Sequence, residues 1–317
     1  MANILRIEEI KSALDSIDVI SAMEEGFIQY SNGNSVVPPV GELLFNNPPG
    51  DVHIKYGYIK DDEYYVIKIA SGFYENSKLG IPSGQGLMLL FNQKTGELVS
   101  ILLDEGHLTD VRTAAAGALA AKYFSPSKID KVGIVGTGVQ AKLQLQFLQK
   151  TKPCRSVLLW GRNKEKAEKL KAELGSDFDI TITEKCSELT SESDIIITTT
   201  PSEAPLVRAE DVQPGTLIIA VGSDTESKQE LESQILHKAD KVVADSIPQS
   251  QSRGEVFRAI KDGAISHQKV IELGSAIQNK ALQRMDDEEI IVVDLTGVAV
   301  QDIMIASAVY SYIRNQS

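Results

Sequence analysis

The segment Val132-Gly133-Ile134-Val135-Gly136-Thr137-Gly138-Val139-Gln140-Ala141 constrains this chain more than any other. An apolar run enters G-x-G-x-x-A and a helix-forming stretch leaves it, which reads as strand, tight turn and helix. Gly136 allows the turn, Gly138 lets backbone approach a pyrophosphate, and Ala141 permits close helix–strand packing. The helix N-terminus supplies N–H donors and a partial positive charge for phosphates. Alone the spacing is weak evidence, but here it opens a series. Short apolar runs recur at 157–160, 195–198, 217–220 and 242–244, with helical stretches at 140–148 and 164–174. Strands that are apolar on both faces and alternate with helices predict an α/β fold, a Rossmann-type doubly wound parallel sheet that binds a dinucleotide.

The second strand ends Trp160-Gly161-Arg162-Asn163. An NAD-preferring site places Asp or Glu at that tip to bind the ribose 2′-OH. Gly161 leaves room for a 2′-phosphate and Arg162 could pair with it bidentately, which favours NADP(H). NAD(H) is the alternative, with Arg162 a solvated loop charge stacking on adenine. Thr199 and Thr200 follow another strand and should lie along the cofactor on its nicotinamide side. The expected cofactor contacts in these turns are Gly136, Thr137, Gly138, Val139, Gln140, Gly161, Arg162, Asn163, Thr199 and Thr200.

A length of 317 residues suggests about two domains. Residues 1–33 look helical, with Val19, Ile20, Met23, Phe27 and Tyr30 on one apolar face. Residues 40–104 look like strands, ending in a hairpin whose loop contains Gly96, and an alanine-rich helix runs from about Thr109 to Tyr123. The character changes at Ser125-Pro126-Ser127, so the first domain is placed at 1–124 and the dinucleotide domain at 125–297. A last helix, 299–313, follows the βαβ series and is expected to return, so that 298–317 completes the first domain.

With 32 Lys and Arg against 44 Asp and Glu, the net charge is −12. That leaves no basic footprint for nucleic acid and no polybasic patch for anionic lipid. Cys154 and Cys186 read as reduced thiols of a cytoplasmic protein, and neither they nor the scattered histidines have a metal-ligand spacing. The N-terminus carries charges where a signal peptide needs an apolar stretch. Asp294, Gln301 and Asp302 interrupt the most apolar long region, 290–313, which argues against a membrane span. Lys68 interrupts an otherwise apolar strand, Val66-Ile67-Lys68-Ile69-Ala70. Burying a lysine there is costly without a role; the alternative is an outward-facing strand lysine.

Leu108-Thr109-Asp110-Val111-Arg112-Thr113-Ala114-Ala115-Ala116 resembles the L-T-x-x-R-T-A-A-A signature of the ornithine cyclodeaminase/mu-crystallin family. The resemblance continues through 136–141, Gly222-Ser223-Asp224 and Asp294-Leu295-Thr296-Gly297-Val298-Ala299-Val300-Gln301-Asp302, in family order. It implies a homodimer with a mixed α/β substrate-binding and dimerisation domain beside the Rossmann domain. It also implies hydride transfer between a nicotinamide and an amino-acid α-carbon or its imine. By the same resemblance Lys68 and Asp224 are catalytic, and Arg112, Lys68 and Gly297 bind substrate. Arg112, Thr113, Val221, Ser223 and Thr296 join the cofactor contacts. An arginine that many members carry after the early proline-rich segment is missing from Val37-Pro38-Pro39-Val40-Gly41-Glu42. Lys55 is either its replacement or a solvated strand lysine.

The expected activity is NAD(P)H-dependent reduction of a small cyclic imine carboxylate, with Δ1-pyrroline-2-carboxylate to L-proline as the favoured case. Alternatives are an ornithine cyclodeaminase that retains NAD, an alanine dehydrogenase or amino-acid synthase, and a non-catalytic nicotinamide or ligand sensor. No nucleic-acid or membrane partner is expected.

Overall fold

A computed structural model describes residues 2–316 apart from Tyr74. Contacts divide the chain into two units, 1–112 with 298–317, and 113–297. The division falls inside the alanine-rich helix rather than after it.

The first unit begins with Asn3–Arg6 (β1), Ile7–Leu14 (α1) and Val19–Ser31 (α2). Ser35–Val36 (β2), Gly41–Asn46 (β3), Pro49–Ile59 (β4), Tyr64–Phe73 (β5), Gly84–Asn92 (β6) and Leu98–Leu103 (β7) follow, then His107–Phe124 (α3). The strands form one mixed sheet in the order β1-β7-β6-β5-β4-β2, with β3 also paired to β4. Only β1 runs parallel to its neighbour, β7; the other pairs are antiparallel.

Two local expectations are corrected. Residues 3–6 form a strand, not helix, because β7 offers a free edge there and pairing buries Leu5. The alanine-rich helix, expected from about Thr109, begins two residues earlier at His107, the first residue of α3. The Asp104 carboxylate accepts the Leu108 N–H at 2.8 Å and caps that turn.

The second unit carries Val132–Val135 (β8), Val139–Leu148 (α4), Ser156–Trp160 (β9), Lys164–Leu174 (α5), Asp179–Ile182 (β10), Cys186–Glu192 (α6) and Ile195–Thr198 (β11). Leu217–Ala220 (β12), Ser233–Lys238 (α7), Lys241–Ala244 (β13), Gly254–Lys261 (α8), Val270–Glu272 (β14), Leu273–Gln278 (α9) and Ile291–Asp294 (β15) complete it. All eight strands are parallel, in the order β10-β9-β8-β11-β12-β15-β13-β14. Every residue of β8, β11, β12 and β15 is buried, as expected of strands covered on both faces. The chain winds outward from β8 in both directions, so the strand order reverses between β8 and β11. Open α/β sheets bind ligands outside the carboxyl ends of the strands at such a point.

The closing helix, Ala299–Gln316 (α10), belongs to the first unit and packs on β4, β5, β6 and α2. Gly26 of α2 permits that approach: a Cβ there would lie 2.7 Å from Met304 Cγ. The sheet therefore has a helix-covered face and a second, more open one. Among the described residues no helix is long and apolar enough to cross a membrane.

Candidate active site

The carboxyl ends of β8, β9 and β11 enclose a cavity of about 290 Å³. Of the expected cofactor residues, Gly136, Thr137, Gly138, Gly161, Arg162, Asn163, Thr199 and Thr200 line it. Gly136 has φ +125°, and a Cβ there would sit 2.4 Å from Thr199 Oγ1, so only glycine fits this turn. Gly138 is the N-cap of α4 with no side-chain cap, and a Cβ on it would meet nothing within 4 Å. An uncapped helix N-terminus facing open space suits a pyrophosphate. At the β9 tip a Cβ on Gly161 would lie 2.5 Å from Thr137 Cγ2, so a carboxylate at that position would need Thr137 to move. Arg162 is exposed, and Asn163 caps α5 by accepting the Lys166 N–H at 3.0 Å. The residues present therefore fit a dinucleotide. Trp160, Lys166 and Leu206 also line the cavity and carried no sequence signal for that role.

Val139, Gln140 and Thr113 lie outside this lining. Val139 is exposed at the start of α4 and the Thr113 carbonyl accepts from Gln144 Nε2 at 3.1 Å. The loops after β12 and β15 hold the other expected residues. Val221 is buried, and Ser223 Oγ donates to the Lys228 carbonyl at 2.9 Å. Asp224 Oδ1 accepts from Lys228 Nζ at 2.6 Å, and its carbonyl accepts from Arg253 Nη1 at 3.2 Å. Thr296 Oγ1 donates to Asp245 Oδ1 at 2.9 Å, while the Gly297 N–H donates to Asp245 Oδ2 at 2.6 Å. Gln249 Nε2 donates to both Thr296 Oγ1 and the Gly297 carbonyl, so these two residues are fixed by their own unit.

Beneath these loops lie carboxyls that received no role from sequence. Burial pushes the Glu230 carboxyl up to about 7 and the Asp294 carboxyl up to about 8. Burial, with the neighbouring Asp294 charge, holds the Glu255 carboxyl well above the usual range.

In the first unit, strand register brings Lys55 and Lys68 directly opposite each other on β4 and β5. The row continues through Met88 and Leu102 to Leu5, and all five residues are buried on the helix-covered face. Two lysines thus occupy an otherwise apolar row. His53, two residues before Lys55 on β4, shares that face; it is buried, 3.4 Å from carboxylate oxygens of both Glu42 and Asp51. The outward-facing alternative for Lys68 is excluded, since Lys68 is 2% exposed.

Asp302 of α10 approaches both Lys68 and Arg112. Its Oδ2 lies 3.5 Å from Lys68 Nζ and its Oδ1 lies 3.1 Å from Arg112 Nε. Among the described residues neither Asp302 oxygen has a hydrogen-bonding partner, so the attraction is coulombic. Arg112 Nη1 donates to Gln301 Oε1 at 3.0 Å, and Gln301 Nε2 returns a bond to the Arg112 carbonyl at 3.3 Å. Burial raises the Asp104 carboxyl, against the pull of the Leu108 N–H and the Lys68 charge. Gln301, Asp302 and Asp104 received no role from sequence, although the polar pair 301–302 in an apolar helix was the available signal. Buried charges in such proximity are costly to stability and characteristic of sites that do chemistry.

A sequence model described as the ornithine cyclodeaminase/mu-crystallin family matches residues 1–317. The chain belongs to this family. It is 34% identical to an alanine dehydrogenase of Archaeoglobus fulgidus, over 97% of this chain and 94% of the relative. An archaeal alanine dehydrogenase dimer with bound NAD superposes with a TM-score of 0.91 at 32% identity, covering 99% of this chain and 97% of that one. The Δ1-pyrroline-2-carboxylate reductase of Thermococcus litoralis, in complex with NADH and L-proline, superposes with a TM-score of 0.90 at 28% identity, covering 99% and 98%. The protein is an oxidoreductase of this family that works with a nicotinamide cofactor.

Proposed function

We propose that the protein reduces the C=N bond of a small cyclic imine carboxylate, Δ1-pyrroline-2-carboxylate to L-proline in the favoured case. The buried cluster of Lys68 and Arg112 around Asp302 carries this reading. It offers a carboxylate-binding guanidinium and a proton-bearing amine. Similarity over the whole chain to a reductase solved with NADH and L-proline supports it.

When bound, the nicotinamide supplies a hydride to the imine carbon. The chain supplies the rest. Arg112, aided by Lys55, grips the substrate carboxylate with charge-assisted hydrogen bonds. Lys68 and Asp224 manage the proton on nitrogen, directly or through water, and Gly297 contributes backbone to the substrate side. The uncapped α4 N-terminus and Gly138 take the pyrophosphate, while Thr199 and Thr200 lie on the nicotinamide side. Arg162 takes a 2′-phosphate, which makes NADP(H) the favoured cofactor over NAD(H). Orientation supplies much of the acceleration.

Alanine dehydrogenase is the second reading, favoured by the 34% identity to the Archaeoglobus enzyme. Mixing protein, NADPH or NADH, and Δ1-pyrroline-2-carboxylate and following nicotinamide absorbance separates the two. Rapid oxidation without ammonia supports the imine reductase. Oxidation only with pyruvate plus ammonia replaces it with the second reading.

A homodimer belongs to the same reading. On the open face of the first unit's sheet, Ile4, Ile101, Leu89, Ile67 and Tyr56 form an apolar row across five strands, with Ile4 55% and Tyr56 39% exposed. Ile67→Glu should yield monomers by light scattering; an unchanged mass would remove this face from the interface.

A further inference from the structure

Glu230 is wholly buried, yet it lies in neither the cofactor turns nor the Asp224 turn. Its carboxylate faces four donors. Oε1 accepts the Thr200 N–H at 2.5 Å and the Thr200 hydroxyl at 2.7 Å. Oε2 accepts the Thr198 hydroxyl at 2.8 Å and the Gly222 N–H at 2.9 Å. One oxygen therefore holds the root of the loop after β11, and the other joins the end of β11 to the root of the loop after β12.

The two roots also touch each other. A Cβ on Gly222 would sit 2.2 Å from the Thr200 carbonyl oxygen and 2.6 Å from Glu230 Oε2. Glu230 itself is held from behind: its N–H donates to Glu255 Oε1 at 2.6 Å, and its carbonyl accepts the Leu206 N–H at 2.7 Å. The segment it closes, 222–230, is internally tied by Ser223 Oγ on the Lys228 carbonyl and Lys228 Nζ on Asp224. A buried acceptor with four converging donors, fixed at its own backbone, is how a structure sets the spacing of two loops.

We propose that Glu230 is a positioning residue that holds the nicotinamide-side loop and the Asp224 loop in one fixed arrangement. The inference rests on the reading above that these loops serve the cofactor and the proton. A carboxylate is required because it only accepts. In Glu230→Gln the amide NH₂ must face a backbone N–H, of Thr200 in one orientation and of Gly222 in the other, so one loop root is lost either way.

The test compares wild type, Glu230→Gln and the milder Thr198→Val, which removes a single donor. NADH affinity is read by fluorescence, kcat with Δ1-pyrroline-2-carboxylate, and amide exchange by mass spectrometry. Glu230→Gln should keep its circular dichroism, weaken NADH or lower kcat by about 10- to 100-fold, and speed exchange at 199–202 or 222–228. Exchange in β9 should not change. Thr198→Val should move the same readouts in the same direction by a few-fold, and it decides the matter if Glu230→Gln does not fold. Exchange and NADH affinity within twofold of wild type in a folded variant would overturn the proposal. Faster exchange throughout the unit would do the same, since it would mark a general stabilising role. A wild-type protein that bound no nicotinamide would instead sink the functional reading, and the exchange pattern alone would then decide the positioning role.

Discussion

Asp302→Asn removes the one charge that α10 places against Lys68 and Arg112, and its effect can be worked from the distances. The carboxylate is 1% exposed, 3.5 Å from the ammonium and 3.1 Å from the guanidinium. Taking one partner from a buried ion pair costs about 3–5 kcal/mol, because the remaining charge stays desolvated without compensation. Here two cations lose that carboxylate rather than one, while Asp104 still acts on Lys68, so a cost within that range is expected. At roughly 2–4 °C per kcal/mol for a cooperative unit of 150–250 residues, the midpoint should fall by about 10 °C or more. Lys68→Met should differ in kind. It leaves Asp302 beside Arg112, so its stability cost should be well below that of Asp302→Asn, while imine reduction should be abolished. The pair Asp302→Asn/Lys68→Met should recover part of the lost stability and none of the activity. The assay is thermal denaturation by circular dichroism, with imine reduction measured alongside. A midpoint for Asp302→Asn within 2 °C of wild type would refute the claim that this carboxylate compensates two buried cations. A double variant no more stable than Asp302→Asn would refute the charge argument specifically, leaving only a loss of packing.

Arg162→Ala should weaken NADPH at least tenfold and NADH less than threefold in fluorescence titrations; equal losses would remove the 2′-phosphate assignment. Gly136→Ala should abolish measurable NADH binding, because φ +125° strains any side chain and its Cβ would press to 2.4 Å from Thr199 Oγ1; wild-type affinity would show that the turn is not built as described. Stability should fall as pH rises from 6.5 to 8.5. Burial raises Glu230 to about 7 and Asp294 to about 8, so the folded state holds these protons more tightly than the unfolded one. Their contribution is complete below the unfolded carboxyl range and is lost as pH rises through the folded values. Asp294 alone amounts to about 2 kcal/mol over this window. A midpoint that is level or rises between those pH values would contradict the raised values of these two carboxyls.

The dinucleotide unit was legible because its information is local. Gly136, Gly138 and Ala141 specify a turn and a helix entry within ten residues, and the apolar runs around them are strands that need no partner to be recognised. The residues lining the cavity from sequence are those same turn residues. The first unit was less legible for the same physical reason. Residues 3–6 became a strand only because β7, nearly a hundred positions away, had an edge to pair, and nothing local in Asn3–Arg6 distinguishes that outcome from the first turn of a helix.

The site divides along the same line. Lys68 and Arg112 could be named because a lone cation in an apolar strand, or inside a signature, carries its meaning with it. Asp302 and Glu230 could not, because an acid acquires a role from the charges and donors that arrive from elsewhere. Asp302 meets partners at positions 68 and 112, and Glu230 gathers donors from 198, 200 and 222. For Asp302 the sequence showed a polar residue in an apolar helix, and the cost of burying it was the clue; Glu230 stands in the polar run Ser227-Lys228-Gln229-Glu230 and carried none. That cost is a usable rule. A carboxylate that a fold buries completely must be compensated, and the groups that compensate it are the ones whose positions it sets. Asp302 thereby sets where Lys68 and Arg112 point, and Glu230 sets where two loops stand, so the acids that sequence left without a role are the ones on which the geometry of the recognised residues depends.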